Sequence, residues 1–193
     1  MLRSVDAVDA VTASDLDRPT PCAGWTLADL LAHMTVQHRG FAAAARGRGA
    51  DESAWDVTTV ADAVHADPAG TYAAAARAVL DAFAADGIAE ATFALPEFGP
   101  NATFPGTLAI GFHLVDYAVH GWDVAAALGA SYELPDDVIA AVLPLVMAIP
   151  DGDFRDSAVS PFDRAVNASA ATDFDKVLLY LGRRPDWRRT SHP

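Results

Sequence analysis

Three residues of types that bind metals share one face of a predicted helix. His113, Asp116 and His120 are spaced so that, at about 100° per residue, their side chains fall within an arc of roughly 60°. A carboxylate and an imidazole four residues apart can bind one ion together, as the two histidines of an HExxH motif do. The spacing therefore predicts part of a metal site.

A ligand from another helix is needed to complete such a site. His33 is the candidate, because it lies within the run LLAHM at 30–34, on or beside the apolar face of a predicted helix. Helical bundles build metal sites from inward-facing side chains on neighbouring helices. His33, Asp116 and His120 are therefore candidate ligands of one divalent ion. His113 is a fourth or alternative ligand or, as we favour, lines a pocket.

A metal-free arrangement of the same residues is a second interpretation. A histidine on an apolar helix face is more often a hydrogen-bonded core residue than a ligand. A carboxylate on the buried side of a helix needs a cation or a protonated histidine, and a structural pair of Asp116 with a histidine would meet that need. Spacing alone leaves both interpretations open.

The elements that must position these residues are helices. Apolar residues recur at helical spacing between glycines and prolines over residues 2–12, 27–47, 60–87, 108–128, 135–147 and 172–181. The third of these is better supported from Pro68 onward, and Pro144 should kink the fifth or end it early. Residues 90–104 read as a loop with short extended pieces. The basic tail after Gly182 is free to fray from about residue 185.

Composition limits the partners and the compartment. The net charge of −13 argues against nucleic acid and anionic membranes as partners, because both need clustered Lys and Arg. No stretch approaches the roughly 20 apolar residues of a membrane helix, and acids lie where a signal peptide has its apolar core. We expect one cytoplasmic domain over residues 1–193, a monomer or homodimer, that acts on a small molecule.

Two separated stretches carry a family resemblance. Residues 19–34 read PTPCAGWTLADLLAHM and residues 116–125 read DYAVHGWDVA, with FDR at 162–164 and KVLLYLGRRP at 176–185. Together they resemble the DinB/YfiT-like superfamily. Within it they are most similar to the metal-binding domain of mycothiol-dependent maleylpyruvate isomerases, in short, single-domain form.

The resemblance implies an all-α fold, an up-down four-helix bundle with additional short C-terminal helices, and a divalent ion, commonly zinc. It assigns the ligands to His33, Asp116 and His120. The sequence departs from the isomerases in having Asp116 where they usually have Glu, and in lacking their extra C-terminal domain. Isomerase activity is therefore not inherited automatically.

Two functions are compatible with this sequence. The first is a metal-dependent transferase or isomerase in which a low-molecular-weight thiol such as mycothiol attacks a small electrophile, because a three-ligand metal with an open position can stabilise a thiolate. The second is a non-catalytic protein that binds a metal or small ligand on the same bundle.

Other residues have both a structural and a functional interpretation. Asp123 follows His120 by three residues and either orients its imidazole or faces solvent. Trp25 and Trp122 are packing anchors more often than substrate platforms. Cys22 reads as a small loop or core residue, and His38 and His65 have no partner at a suitable sequence spacing, with surface or core placement as the default.

Overall fold

The computed structural model describes residues 2–157 and 160–188 and confirms an all-α fold. Within those residues there are seven α-helices and one two-stranded antiparallel sheet. The helices are α1 (Leu2–Asp9), α2 (Leu27–Ala45), α3 (Thr58–Ala66), α4 (Pro68–Phe83), α5 (Gly106–Leu128), α6 (Asp136–Met147) and α7 (Asp173–Tyr180), and the strands are β1 (Thr92–Ala94) and β2 (Thr103–Pro105). The last residues of the tail that we expected to fray, 189–193, lie outside the described residues.

Four helices surround the main apolar core. Helix α1 contacts α4 and α5, and α2 contacts the same two helices, so these four contacts form a closed ring. Helix α3 packs on α2 and α4, whereas α6 packs on α5 and α7. None of the described helices combines the length and apolarity needed to cross a bilayer. The centre of the ring is filled by fully buried side chains that include Val8, Leu30, Met34, Tyr72 and Val124.

Helix α2 begins at a well-defined residue. The Thr26 hydroxyl accepts a hydrogen bond from the Asp29 amide (3.2 Å), and the Asp29 carboxylate accepts one from the Thr26 amide (2.9 Å). This capping box satisfies amides that the first turn leaves without helical partners. The Leu27 amide donates to the carbonyl oxygen of Arg18 (2.8 Å), which ties the helix to the preceding loop. His33, in the second turn, is therefore held in place.

One helix prediction is wrong, and one of the two effects expected of Pro144 does not occur. The third predicted helix is two helices, because a proline at 68 disfavours helical backbone in Asp67, which has φ −151° and caps α4 with its side chain. Helix α6 continues through Pro144 to Met147, the end that we predicted for it, so of the two effects expected of this proline the early end does not occur. Val142 and Val146, on either side of the proline, are fully buried in the core shared with α7, and this packing stabilises a turn that lacks one hydrogen bond.

The segment before α5 contains the extended pieces expected there. Strands β1 and β2 pair with Phe93 opposite Phe104. A short 3₁₀ turn in the connection carries Glu97, whose carboxylate accepts a hydrogen bond from the Gln37 side-chain amide of α2 (2.9 Å). The connection is thus tied to the helix that bears His33.

Two histidines form a hydrogen-bonded pair inside the bundle. His38 Nδ1 lies 3.1 Å from His113 Nε2, and the two residues are 0% and 2% exposed. Rings of Tyr117, Phe41 and Phe83 lie against the pair. Burial lowers the pKa of His113 to about 3 and holds the pKa of His38 well below its usual value. Both rings are therefore neutral at pH 7.

This pair predicts a loss of stability in mild acid. Below about pH 6.5 the unfolded chain takes up protons at both histidines, whereas the folded chain does not, so the free energy of unfolding falls as the pH falls. Urea unfolding with a chelator present should show a smaller pH dependence for His113→Gln than for the wild type. His65→Gln, at an exposed position, is the control. An unchanged pH dependence in His113→Gln would show that the pair does not contribute.

Candidate metal centre

The three predicted ligands converge between α2 and α5. Asp116 and His120 lie one turn apart on α5, with Asp116 Oδ1 3.2 Å from His120 Nε2. The rings of His33 and His120 meet edge to face with centroids 5.2 Å apart. One ligand atom from each of the three residues lies within 4.8 Å of the other two. The arrangement offers two imidazole nitrogens and one carboxylate oxygen to a common point.

The carboxylate of Asp116 is incompletely satisfied. Its Oδ1 atom contacts His120, but its Oδ2 atom is buried with no hydrogen-bond partner among the described residues. A buried carboxylate oxygen without a partner is costly, and a cation would satisfy it. The residues present therefore fit a divalent ion.

The charges at this site leave the imidazole of His33 neutral and favour the protonated form of His120. Burial lowers the pKa of His33 to about 4, although the nearby Asp116 carboxylate opposes this, so the ring is neutral at pH 7 and can bind a metal. Burial also favours neutral His120, but the carboxylates of Asp116 and Asp123 outweigh it and raise the pKa of His120 well above its usual value. An ion bound at Nε2 of His120 would displace a proton.

The opposite nitrogen of His120 contacts a second polar group. Asp123 is 0% exposed, and its Oδ2 atom lies 2.9 Å from His120 Nδ1. The same oxygen accepts hydrogen bonds from Cys22 Sγ (3.2 Å) and Arg183 Nη2 (3.3 Å). Burial raises the pKa of Asp123, but Arg183 and His120 together hold it below its usual value. The solvent-facing alternative for Asp123 is thus wrong, because the carboxylate is buried between two cationic groups.

Cys22 and Arg183 are the members of this site that the sequence analysis did not assign to it. We treated Cys22 as an isolated loop or core residue and Arg183 as part of a basic tail. Both residues contact Asp123, which lies 101 positions from Cys22 and 60 positions from Arg183 in the chain. A buried acid at position 123 does require a cation, and this is the one signal that could have directed attention to a distant arginine.

The remaining candidates lie in different places. Trp25 is 37% exposed, with its ring centred 4.9 Å from that of His33 and 6.5 Å from that of His120. Trp122 packs, partly buried, against the core of α5, α6 and α7. His113 is neither in the ligand cluster nor among the residues that line the groove described next, and the pocket-lining role that we favoured for it is wrong there, because it is buried in its pair with His38.

A groove of about 460 Å³ adjoins the cluster on the His33 side. It lies against α2 and α3, and no Lys or Arg occurs among the described residues that line it. Asp29 contributes a carboxylate whose pKa is lowered by hydrogen bonds from Thr26, so the groove carries negative charge at pH 7. Its walls are otherwise mostly small or apolar and include Trp25, Ala28, Ala32, Val57 and Ala61.

The Asp123 interaction predicts a large stability effect. Asp123→Ala leaves the buried Arg183 guanidinium without its carboxylate, and we expect the free energy of unfolding to fall by about 3–5 kcal/mol. Asp186→Ala, which removes an exposed ion pair with Arg184, should change it far less, because solvent screens that pair. Adding Arg183→Met to Asp123→Ala should restore part of the loss. If urea unfolding showed that Asp123→Ala and Asp186→Ala lower the free energy of unfolding equally, this account would be contradicted.

Comparison with known proteins places these residues in a family. The family described as mycothiol maleylpyruvate isomerase N-terminal domain matches residues 2–125, a range that includes His33, Asp116, His120 and Asp123. Two proteins of Mycobacterium tuberculosis, from strains CDC 1551 / Oshkosh and H37Rv and both named as uncharacterized, are each 29% identical over 174 residues. That alignment covers 90% of this chain and 87% of each relative. No solved structure matches significantly. Because the family match spans more than half of the sequence, this chain belongs to the mycothiol maleylpyruvate isomerase N-terminal domain family.

Proposed function

We propose that this protein binds one divalent metal ion through His33, Asp116 and His120 and promotes thiol transfer to, or isomerisation of, a small electrophile. The observation that carries the proposal is the convergence of three ligand atoms to within 4.8 Å of one another, at a carboxylate that also has one buried oxygen without a partner among the described residues. Family membership supports it as well, because the family description names both mycothiol and an isomerase.

Zinc suits the donor set best. Two imidazoles and one carboxylate are a common catalytic zinc set, with a position left open for water or substrate. When bound, such an ion lowers the pKa of a thiol and so favours the nucleophilic thiolate. We propose mycothiol, or a similar low-molecular-weight thiol, as the co-substrate.

The chain's own residues support the site in three ways. Asp123 accepts from Nδ1 of His120, which presents Nε2 toward Asp116. Neutral His33 needs no deprotonation to bind an ion. Trp25 covers the rings of His33 and His120 on one side and leaves part of its own surface exposed to the groove.

The groove favours an uncharged electrophile with an apolar body. Its lining combines small apolar side chains, one tryptophan and an ionised Asp29, with no Lys or Arg among the described residues that form it. Apart from the proposed ion, an anionic substrate would meet no Lys or Arg among the described residues of the groove, and the overall charge of −13 opposes its approach. We therefore propose that neutral electrophiles are accepted in preference to carboxylates.

Metal analysis tests the first part of this proposal. Protein purified without a histidine tag and reconstituted with zinc should hold about one equivalent, because three ligands are present. His33→Ala, Asp116→Ala and His120→Ala should each weaken zinc binding at least about tenfold, measured by chelator competition. His65→Ala, an exposed histidine of the groove, is the matched control and should bind as the wild type does. Less than about 0.2 equivalents in the reconstituted wild type would refute the site.

Thiol transfer tests the second part. Zinc-loaded protein should accelerate the reaction of mycothiol with monobromobimane, in which a carbon–sulfur bond forms, bromide leaves and the thiol proton passes to buffer. His33→Ala should lose the acceleration. Trp25→Ala should raise KM for monobromobimane several-fold with a smaller change in kcat, since the ring forms part of the groove, and Trp25→Phe should restore most of the loss.

Two outcomes would count against an enzyme. Acceleration that persists in His33→Ala would remove the ion from the reaction. Full zinc binding without acceleration of this or any other electrophile tested would favour the non-catalytic binding protein.

A further inference from the structure

The chain contains a second group of ligands that competes for the same imidazole. One ligand atom each from Cys22, His120 and Asp123 lies within 4.8 Å of the others. Thiolate, imidazole and carboxylate are all zinc ligands, and thiolate is a strong one. By donor chemistry alone this group should rival the cluster of His33, Asp116 and His120.

Arg183 lies beside this second group. Its Nη2 atom is 3.3 Å from Asp123 Oδ2 and 3.6 Å from Cys22 Sγ. The residue is buried and is held further by a hydrogen bond from Nη1 to the Leu181 carbonyl oxygen (2.8 Å) and by the ring of Phe162 below the guanidinium. A fixed positive charge therefore contacts two of the three side chains that a second ion would need, although Asp123 Oδ1 has no hydrogen-bond partner among the described residues.

We propose that Arg183 excludes metal ions from the group of Cys22, His120 and Asp123 and so commits His120 to the site shared with His33 and Asp116. A guanidinium does not deprotonate in proteins, and its repulsion of a divalent cation is much stronger in a buried setting than in water. Asp123 already has its cation, and Cys22 remains an uncoordinated thiol that donates to the carboxylate. This inference rests on the proposed metal site.

The same arrangement determines which ring nitrogen of His120 is left for the ion. A neutral imidazole has one nitrogen with a free lone pair and one that carries a proton. With Arg183 and Asp123 on its Nδ1 side, His120 donates from Nδ1 and keeps Nε2 for the ion. Arg183 thus acts as a positioning residue, and it comes from the segment after α7, beyond the range 2–125 that the family match covers.

Cobalt substitution tests the exclusion directly, because cobalt(II) bound to a thiolate has a sulfur-to-cobalt charge-transfer absorption in the near ultraviolet. Wild-type protein loaded with cobalt(II) should lack this band. Arg183→Met should gain it at about one thiolate per protein, and the double variant Arg183→Met, Cys22→Ser should lose it again. Arg183→Lys, which keeps the positive charge, and Arg164→Met, which removes an exposed arginine, should both resemble the wild type.

The possible results separate this inference from the proposed function. A charge-transfer band in the wild type, or its absence from metal-loaded Arg183→Met, would overturn the exclusion role. Wild-type protein that takes up no cobalt(II) would refute the primary metal site, whereas a thiolate band in Arg183→Met would still support exclusion by Arg183.

A second measurement does not depend on the folding of any variant. The rate at which iodoacetamide alkylates Cys22 in wild-type protein should change by less than about twofold on zinc loading, because an uncoordinated thiol keeps its reactivity. Strong protection of Cys22 by zinc would contradict the proposal.

Discussion

The site depends on His120, whose two ring nitrogens face different carboxylates. Nε2 lies 3.2 Å from Asp116, and Nδ1 lies 2.9 Å from Asp123. Because these groups come from successive turns of α5, their relative positions are set by the helix itself. What the rest of the fold must supply is a neighbour for each carboxylate, and it does so with His33 on one side and Arg183 on the other.

Each of these neighbours is held by its own local structure. The capping box at Thr26 and the packing of α2 against α4 and α5 fix His33. Hydrogen bonds to Asp123 and to the Leu181 carbonyl oxygen fix Arg183 beyond the end of α7. Parts of the chain that are far apart in sequence therefore meet on α5, and the geometry of the candidate centre depends on how the helices pack together.

The buried charges differ between the two sides of the His120 imidazole. Asp123 contacts both His120 and Arg183, so its negative charge is compensated without an ion. Each of the two carboxylates keeps one buried oxygen without a hydrogen-bond partner among the described residues, but Asp116 has no arginine beside it, and the neighbouring His33 is neutral at pH 7. The difference between the two sides is Arg183, and we therefore propose the divalent ion on the Asp116 side and none on the Asp123 side, although both sides present three potential ligands.

The sequence by itself determined what depends on local periodicity. The helical class, the clearest helices and the shared face of Asp116 and His120 follow from spacing along one element, and His33 was joined to them by its apolar surroundings and by the family resemblance. The tertiary structure alone decided the pairing of His38 with His113, the burial of Asp123 and the arrival of Cys22 and Arg183 beside it. These contacts join residues 60 to 161 positions apart. Helical periodicity specifies which way a side chain points from its own helix, but which distant residue it meets depends on how all the helices pack together.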